Sequence, residues 1–258
     1  MIMLKRFFLI LFPLFVFLTF VPQHNNASAA SGDLVHETHF ASPCGSGIGV
    51  GIAFDGEHLW YSCYNSSPDL YKADPLTGAV IASYNVAGGL GALAWDGTRK
   101  KLWAGWGSGA GADGDIRLID PATGTGSVIF NAASDAYINL DDGLAYDAQD
   151  DSLYVSPDIA TTIHRYSTSG TLLGGFPWTG SGCFNSGVAV GGNILFQGSD
   201  GCNHVWAIDK TTHAPLFDFP TGASGVRDED LECDSVTFNP KTVMWSVEAY
   251  EPRRAIAF

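Results

Sequence analysis

A short apolar strand of one design returns five times along this chain at intervals of roughly 45 residues, which leaves few architectures open. The copies are GIAFD (Gly51 to Asp55), ALAWD (Ala92 to Asp96), GLAYD (Gly143 to Asp147), GVAVG (Gly187 to Gly191) and SVTFN (Ser235 to Asn239). After a turn each is followed by a second strand: HLWYS from His58, KLWAG from Lys101, SLYVS from Ser152, NILFQ from Asn193 and VMWSV from Val243. A third strand ends in an Asp or other polar turn, as in LYKADPLTG from Leu70, IRLIDPATG from Ile116, IHRYSTSG from Ile163 and VWAIDKTTH from Val205. Fourth strands start at Ala79, Ser127, Thr171 and Ala214. Short strands joined by Gly, Asp and Pro turns, repeated at this length, predict the four-stranded blades of an all-β propeller.

The two ends of the array complement each other. The last unit stops at Ala255 to Phe258, in its third strand, and Leu34 to Phe40 is a spare strand ahead of the first unit. Pairing the two closes the ring without an exposed edge. The count is then five blades, with six as the fallback, and residues 30–258 form one propeller domain. Ahead of it, Met1 to Ala29 reads as a secretory signal: Lys5 and Arg6, the apolar run Phe7 to Val21, then Ala27-Ser28-Ala29 for the peptidase. A membrane anchor is the rival reading, for which the run is short. The expected location is secreted or periplasmic, with no membrane insertion after cleavage.

In an oxidising compartment the five cysteines should pair. Cys44 and Cys63 are as far apart as Cys183 and Cys202, and they occupy equivalent places in the first and fourth units. Both pairs are predicted disulfides, each tying the loop before a first strand to the loop after a second. A zinc site is the alternative, without CxxC spacing or clustered His behind it. Cys233 is left over.

The formal net charge is −14. Loops joining fourth to first strands and second to third strands share one face, here called the top, and most of the acids fall in them. Only Arg227, Arg253 and Arg254 oppose them there. This balance argues against nucleic acid and anionic membranes. It suits a divalent cation, a cationic ligand or a basic partner surface, or it is a solvated surface that keeps the protein soluble.

In a propeller the residue just before each inner strand points to the mouth of the axial channel. Aligning the units puts Val50, Gly91, Asp142, Ser186 and Asp234 there. Two carboxylates facing one narrow funnel repel unless they share a cation or a proton. With Asp141 and Asp230 close by in sequence, Asp142 and Asp234 make a predicted site for Ca²⁺ or Mg²⁺. The alternative is that both merely cap inner strands. The recurring Asp55, Asp96, Asp147, Asp74, Asp120 and Asp209 read as turn formers, and Trp60, Trp95, Trp103 and Trp245 as packing between blades. Tyr64, Trp106, Trp178, Phe184 and Tyr250 fall in top-face loops, where they either stack on a sugar or other flat ligand or pack their own loops. No GxSxG elbow or Cys–His pair supports nucleophilic catalysis.

The pattern G-hydrophobic-A-aromatic-D, then L-W/Y-V-S, then I-D-P-x-T-G resembles the bacterial YVTN/NHL-type propeller repeats. It is also similar to the gluconolactonase/senescence-marker and streptogramin-lyase superfamily. That resemblance implies a divalent cation on the axis, bound by Glu, Asn and Asp at inner-strand starts. DDGLAYD matches at Asp142 and CDSVTFN at Asp234, Asn185 and Ser186 lie where the Asn falls, and Val50 and Gly91 stand at the remaining positions. Two functions are expected. The first is a propeller binding a small-molecule, carbohydrate or protein ligand on its acidic top face. The second is a metal-dependent hydrolase or lactonase, with the cation polarising a carbonyl and activating water, and Glu232 as general base.

Overall fold

Burial falls steadily from the first strand of each unit to the last, and this gradient orients the blades. Gly49–Phe54 and Leu59–Cys63 are buried throughout, whereas Val80–Tyr84 and Thr125–Asn131 are mostly exposed. A computed structural model describes residues 31–41, 44–45, 48–107, 113–132, 141–158, 160–177, 183–221, 227–248 and 254–258. The signal segment Met1 to Ala29, together with Trp178, Tyr250 and the Asp141 side chain, lies outside the described residues.

Among those residues there are twenty strands, arranged as five four-stranded antiparallel sheets. The chain opens with β1 (His36–His39). Blade one is β2 (Gly49–Phe54), β3 (Leu59–Cys63), β4 (Leu70–Ala73) and β5 (Val80–Tyr84). Blade two is β6 (Leu90–Asp96), β7 (Lys101–Trp106), β8 (Asp115–Asp120) and β9 (Thr125–Asn131). Blade three is β10 (Asp141–Asp147), β11 (Ser152–Pro157), β12 (Thr162–Ser167) and β13 (Leu172–Pro177). Blade four is β14 (Phe184–Gly191), β15 (Ile194–Asp200), β16 (His204–Asp209) and β17 (Pro215–Pro220). Blade five is β18 (Leu231–Asp234), β19 (Val243–Val247) and β20 (Arg254–Ala257), completed by β1. The molecule is therefore a five-bladed β-propeller. Its ring is closed as the complementary ends predict, with His36 opposite Ala257 and His39 opposite Arg254.

Each blade packs on the next through an aromatic residue on its second strand. Trp60 reaches Leu93 and Leu102 of blade two, Trp103 reaches Leu144 and Val155, Tyr154 reaches Val188 and Leu195, and Trp245 reaches Ile52 and Tyr61. Three of these indoles also donate to the Asp that ends the neighbouring inner strand: Trp60 to Asp55 (2.8 Å), Trp103 to Asp96 (3.1 Å) and Trp245 to Asp234 (3.0 Å). The same carboxylates accept turn N–H groups, as Asp96 does from Thr98 and Arg99. The turn-former reading of these Asp residues thus holds.

Asp234 belongs to this set, which corrects the sequence alignment of the last unit. Its Oδ1 accepts from Val236 (2.7 Å) and Thr237 (2.9 Å), so it ends an inner strand at the bottom face and does not begin one at the top. The inner strand of blade five is Leu231–Asp234, and SVTFN is the bottom turn that follows it. SVTFN imitates the repeat in composition, but its residues are largely solvent-facing; Val236 is 55% exposed.

Both predicted disulfides are formed, Cys44–Cys63 and Cys183–Cys202, with Cα–Cα separations of 5.4 and 6.0 Å. They staple equivalent top-face loops of blades one and four. Cys233 is a free thiol.

Candidate functional site

Shifting blade five into register changes the ring of residues at the axial mouth. Leu231 aligns with Ile52, Leu93, Leu144 and Val188, each three residues before the Asp (Gly191 in blade four) at the bottom of its inner strand. Asp230 then falls where the other blades have Gly51, Ala92, Gly143 and Gly187, and Glu232 where they have Ala53, Ala94, Ala145 and Ala189. One strand supplies two acidic side chains to an axis that the other four line with the smallest residues.

The chain has no choice about those small residues. A Cβ on Gly187 would lie 2.7 Å from the Asp230 backbone, and one on Gly51 would lie 2.6 Å from the Gly91 carbonyl. In the space so created, the Asp230 carboxylate takes N–H bonds from three other blades. Its Oδ2 accepts from Ile52 (3.0 Å) and Leu93 (2.8 Å), and its Oδ1 from Leu144 (3.3 Å) and its own neighbour Leu231 (3.0 Å). Burial pushes its pKa up and the four N–H donors oppose that. Burial outweighs them, and the pKa stays well above the carboxylate range. Asp230 pins four blades together at the axis.

Glu232 lies one layer further down, against the N–H groups of Cys233, Trp95 and Phe54. Burial raises its pKa to about 8. Glu232, the expected general base, thus sits one layer below Asp230 and the mouth, half-buried among backbone donors.

The mouth itself is formed by Asp142 and its equivalents Val50, Gly91, Ser186 and Glu229. The predicted partner of Asp142 is thus replaced: Glu229 faces it, while Asp234 lies at the opposite end of the blade. Asp142 is 1% exposed. Burial raises its pKa well above the carboxylate range, with further repulsion from Glu229 and from Asp158, and these like-charged groups come within hydrogen-bonding contact. The Arg227 guanidinium lies 3.4 Å from Glu229 and meets part of that repulsion; what remains between Asp142 and its acidic neighbours requires a shared proton or a cation. Beside them Asp228 is fully buried; burial and the nearby Glu248 and Glu229 raise its pKa to about 8, although Ser246 Oγ donates to it at 2.9 Å.

Among the described residues, Asp142 Oδ1, Asn185 Oδ1 and Ser186 Oγ are buried without a hydrogen-bond partner. Asn185 is fixed in place by donating its Nδ2 to Ser156 Oγ (2.7 Å) and to the Pro157 carbonyl (3.0 Å). Among the described residues, no three His, Cys, Asp or Glu side chains gather in a way that could hold a metal ion. Of the predicted ligand-stacking residues, Trp106 ends β7 half-buried with a buried indole nitrogen, and Tyr64 is half-buried in the loop after β3. Asp69, in the loop between β3 and β4, organises the top-face turn of its own blade by accepting from Val86, Ala87 and Gly89.

No protein-family model matches the sequence, and no curated protein does. Solved structures do match in fold. Glutaminyl cyclase from Myxococcus xanthus superposes with a TM-score of 0.59 at 12% identity, covering 87% of this chain and 94% of that one. A streptogramin B lyase gives 0.48 at 14% identity, covering 83% and 65%, and a nidogen/laminin complex gives 0.44 at 14%, covering 68% and 81%. At these identities the likeness concerns the propeller fold.

Proposed function

We propose that the chain is an extracytoplasmic propeller whose axial mouth binds a ligand through a protonated amine or guanidinium group. The observation that carries this reading is the contact of Asp142 with Glu229 and Asp158, flanked by buried polar atoms that have no partner among the described residues. An ammonium group brings positive charge and several N–H donors together, which answers both deficits at once. The two disulfides support the oxidising location, and no helix among the described residues is long and apolar enough to cross a membrane.

Titration calorimetry with an amine series (an alkylamine, spermidine, glucosamine, a peptide with a free N-terminus) tests this against Ca²⁺ and Mg²⁺. Binding by an amine that Asp142→Asn abolishes is the expected result. Binding of the divalent ions alone would overturn the amine reading in favour of the predicted metal site, and no binding by either class would remove the mouth as a site.

A second reading has its own observation. A buried carboxyl that holds its proton beside an ionised carboxylate is equipped for acid–base chemistry on a bound amine or amide. The glutaminyl cyclase likeness makes a peptide with an N-terminal glutamine the first substrate to assay, with ammonia release as the readout. Turnover lost in both Asp142→Asn and Glu229→Gln would favour the enzyme; binding without turnover leaves a receptor.

A further inference from the structure

A cavity of about 630 Å³ lies away from the axial mouth, at the bottom of the joint between blades four and five. The repeat explains why it exists. At the other joints an indole or phenol on the second strand meets an Asp at the end of its inner strand. In blade four these two positions hold Phe196 and Gly191. Across the joint, Cys233 occupies the place taken by Phe54, Trp95 and Tyr146 in blades one to three and by Val190 in blade four. The joint thus lacks the carboxylate found at the other four and carries the smallest side chain at the facing position, and packed interiors seldom leave such space empty.

The walls are mostly apolar, with hydroxyls from Ser31, Ser235 and Thr242. Phe196, Phe217, Phe219 and Phe258 line the cavity together with Met244 and Cys233. The volume lies within the range of small-molecule sites. At the rim stands Lys241, exposed and without an ion pair among the described residues, in a chain of net charge −14; Asp33, on the same rim, already has a partner.

We propose that this cavity binds a small aromatic anion, its ring lying among the phenylalanines in place of the missing side chain and its acidic group facing Lys241. The site is independent of the axial mouth. Anilinonaphthalene sulfonate is a probe of this chemistry, and its fluorescence reports transfer to an apolar wall. Titration into the native protein should reveal one saturable site. Phe217 is 43% exposed, so Phe217→Ala leaves the fold intact and should weaken binding about tenfold by removing a wall. Lys241→Gln should weaken the sulfonate about threefold and leave the uncharged N-phenyl-1-naphthylamine unchanged. Phe196→Trp, which restores the indole, should reduce binding of both probes. Absence of a saturable site, or indifference to Phe217→Ala and Phe196→Trp, would overturn the proposal. A saturated fatty acid binding as tightly as the naphthalene probes would overturn the aromatic assignment, and equal response of both probes to Lys241→Gln would overturn the anionic one.

Discussion

Asp142 and Glu229 place like charges in a buried contact, an arrangement that costs stability unless a proton or a ligand settles it. Removing one charge should therefore help the empty protein. Asp142→Asn is expected to raise the free energy of unfolding at pH 8 by about 1 kcal/mol in urea titrations while abolishing amine-induced stabilisation. A variant that is destabilised and still responds to amines would contradict the role given to Asp142. Asp230 behaves in the opposite sense, because all its partners are backbone donors. Asp230→Asn would turn an amide N–H₂ towards N–H groups that cannot accept, and should lower stability by about 3 kcal/mol. Chemical denaturation of this variant, compared with Asp234→Asn at the bottom face, distinguishes the axial pin from a turn former.

The strands were legible because their residues repeat. Four of the five inner strands, all the second and third strands and the closing role of Leu34 to Phe40 follow from period and alternation alone. The exception, β18, has the sequence LECD, whose two central positions carry an acid and a thiol where the pattern wants alanine and an aromatic. Composition pointed to SVTFN, four residues later. The signal that identifies the true strand is the Asp-to-Trp relation, Asp55 to Trp60 and Asp96 to Trp103, which Asp234 and Trp245 reproduce across a longer turn. That relation lies in tertiary hydrogen bonding and is invisible to periodicity. At this scale β1 carries the clearest prediction. A chain starting at Ser42 leaves β20 as an unpaired edge, breaks the contacts of Thr38 with the Pro75 carbonyl and of Glu37 with Arg254, and should melt lower and aggregate on heating. An unchanged melting temperature and unchanged light scattering would refute the closure.

Across the whole molecule the buried acids set the response to pH. Asp228 and Glu232 are raised to about 8, and Asp142 and Asp230 well above their ordinary values, all by burial first. The native state therefore binds more protons than the unfolded chain between about pH 4 and pH 8, and stability falls as pH rises through that window. Asp151 acts in reverse, since the Arg99 guanidinium holds its pKa far below the usual range; Asp74 and Asp209 are lowered by turn hydrogen bonds, and their contribution is lost in acid. Melting curves from pH 3 to 9 without added cations should peak near pH 5; a melting temperature that climbs from pH 5 to pH 8 would exclude this account. The mouth was half legible for the same reason as blade five: Asp142 stands at the predicted place, and Glu229 was missed with the register. Asp230 has one further consequence, for the order in which the chain acquires its structure. The N–H groups of Ile52, Leu93 and Leu144 wait for an acceptor 178, 137 and 86 residues further along. Until that residue arrives, three inner strands hold backbone donors with no acceptor at the axis, and blades made earlier gain little by docking. Loop-closure entropy is then spent late and all together, so the ring should form slowly and in one cooperative step, with the final blade as the condition for the first.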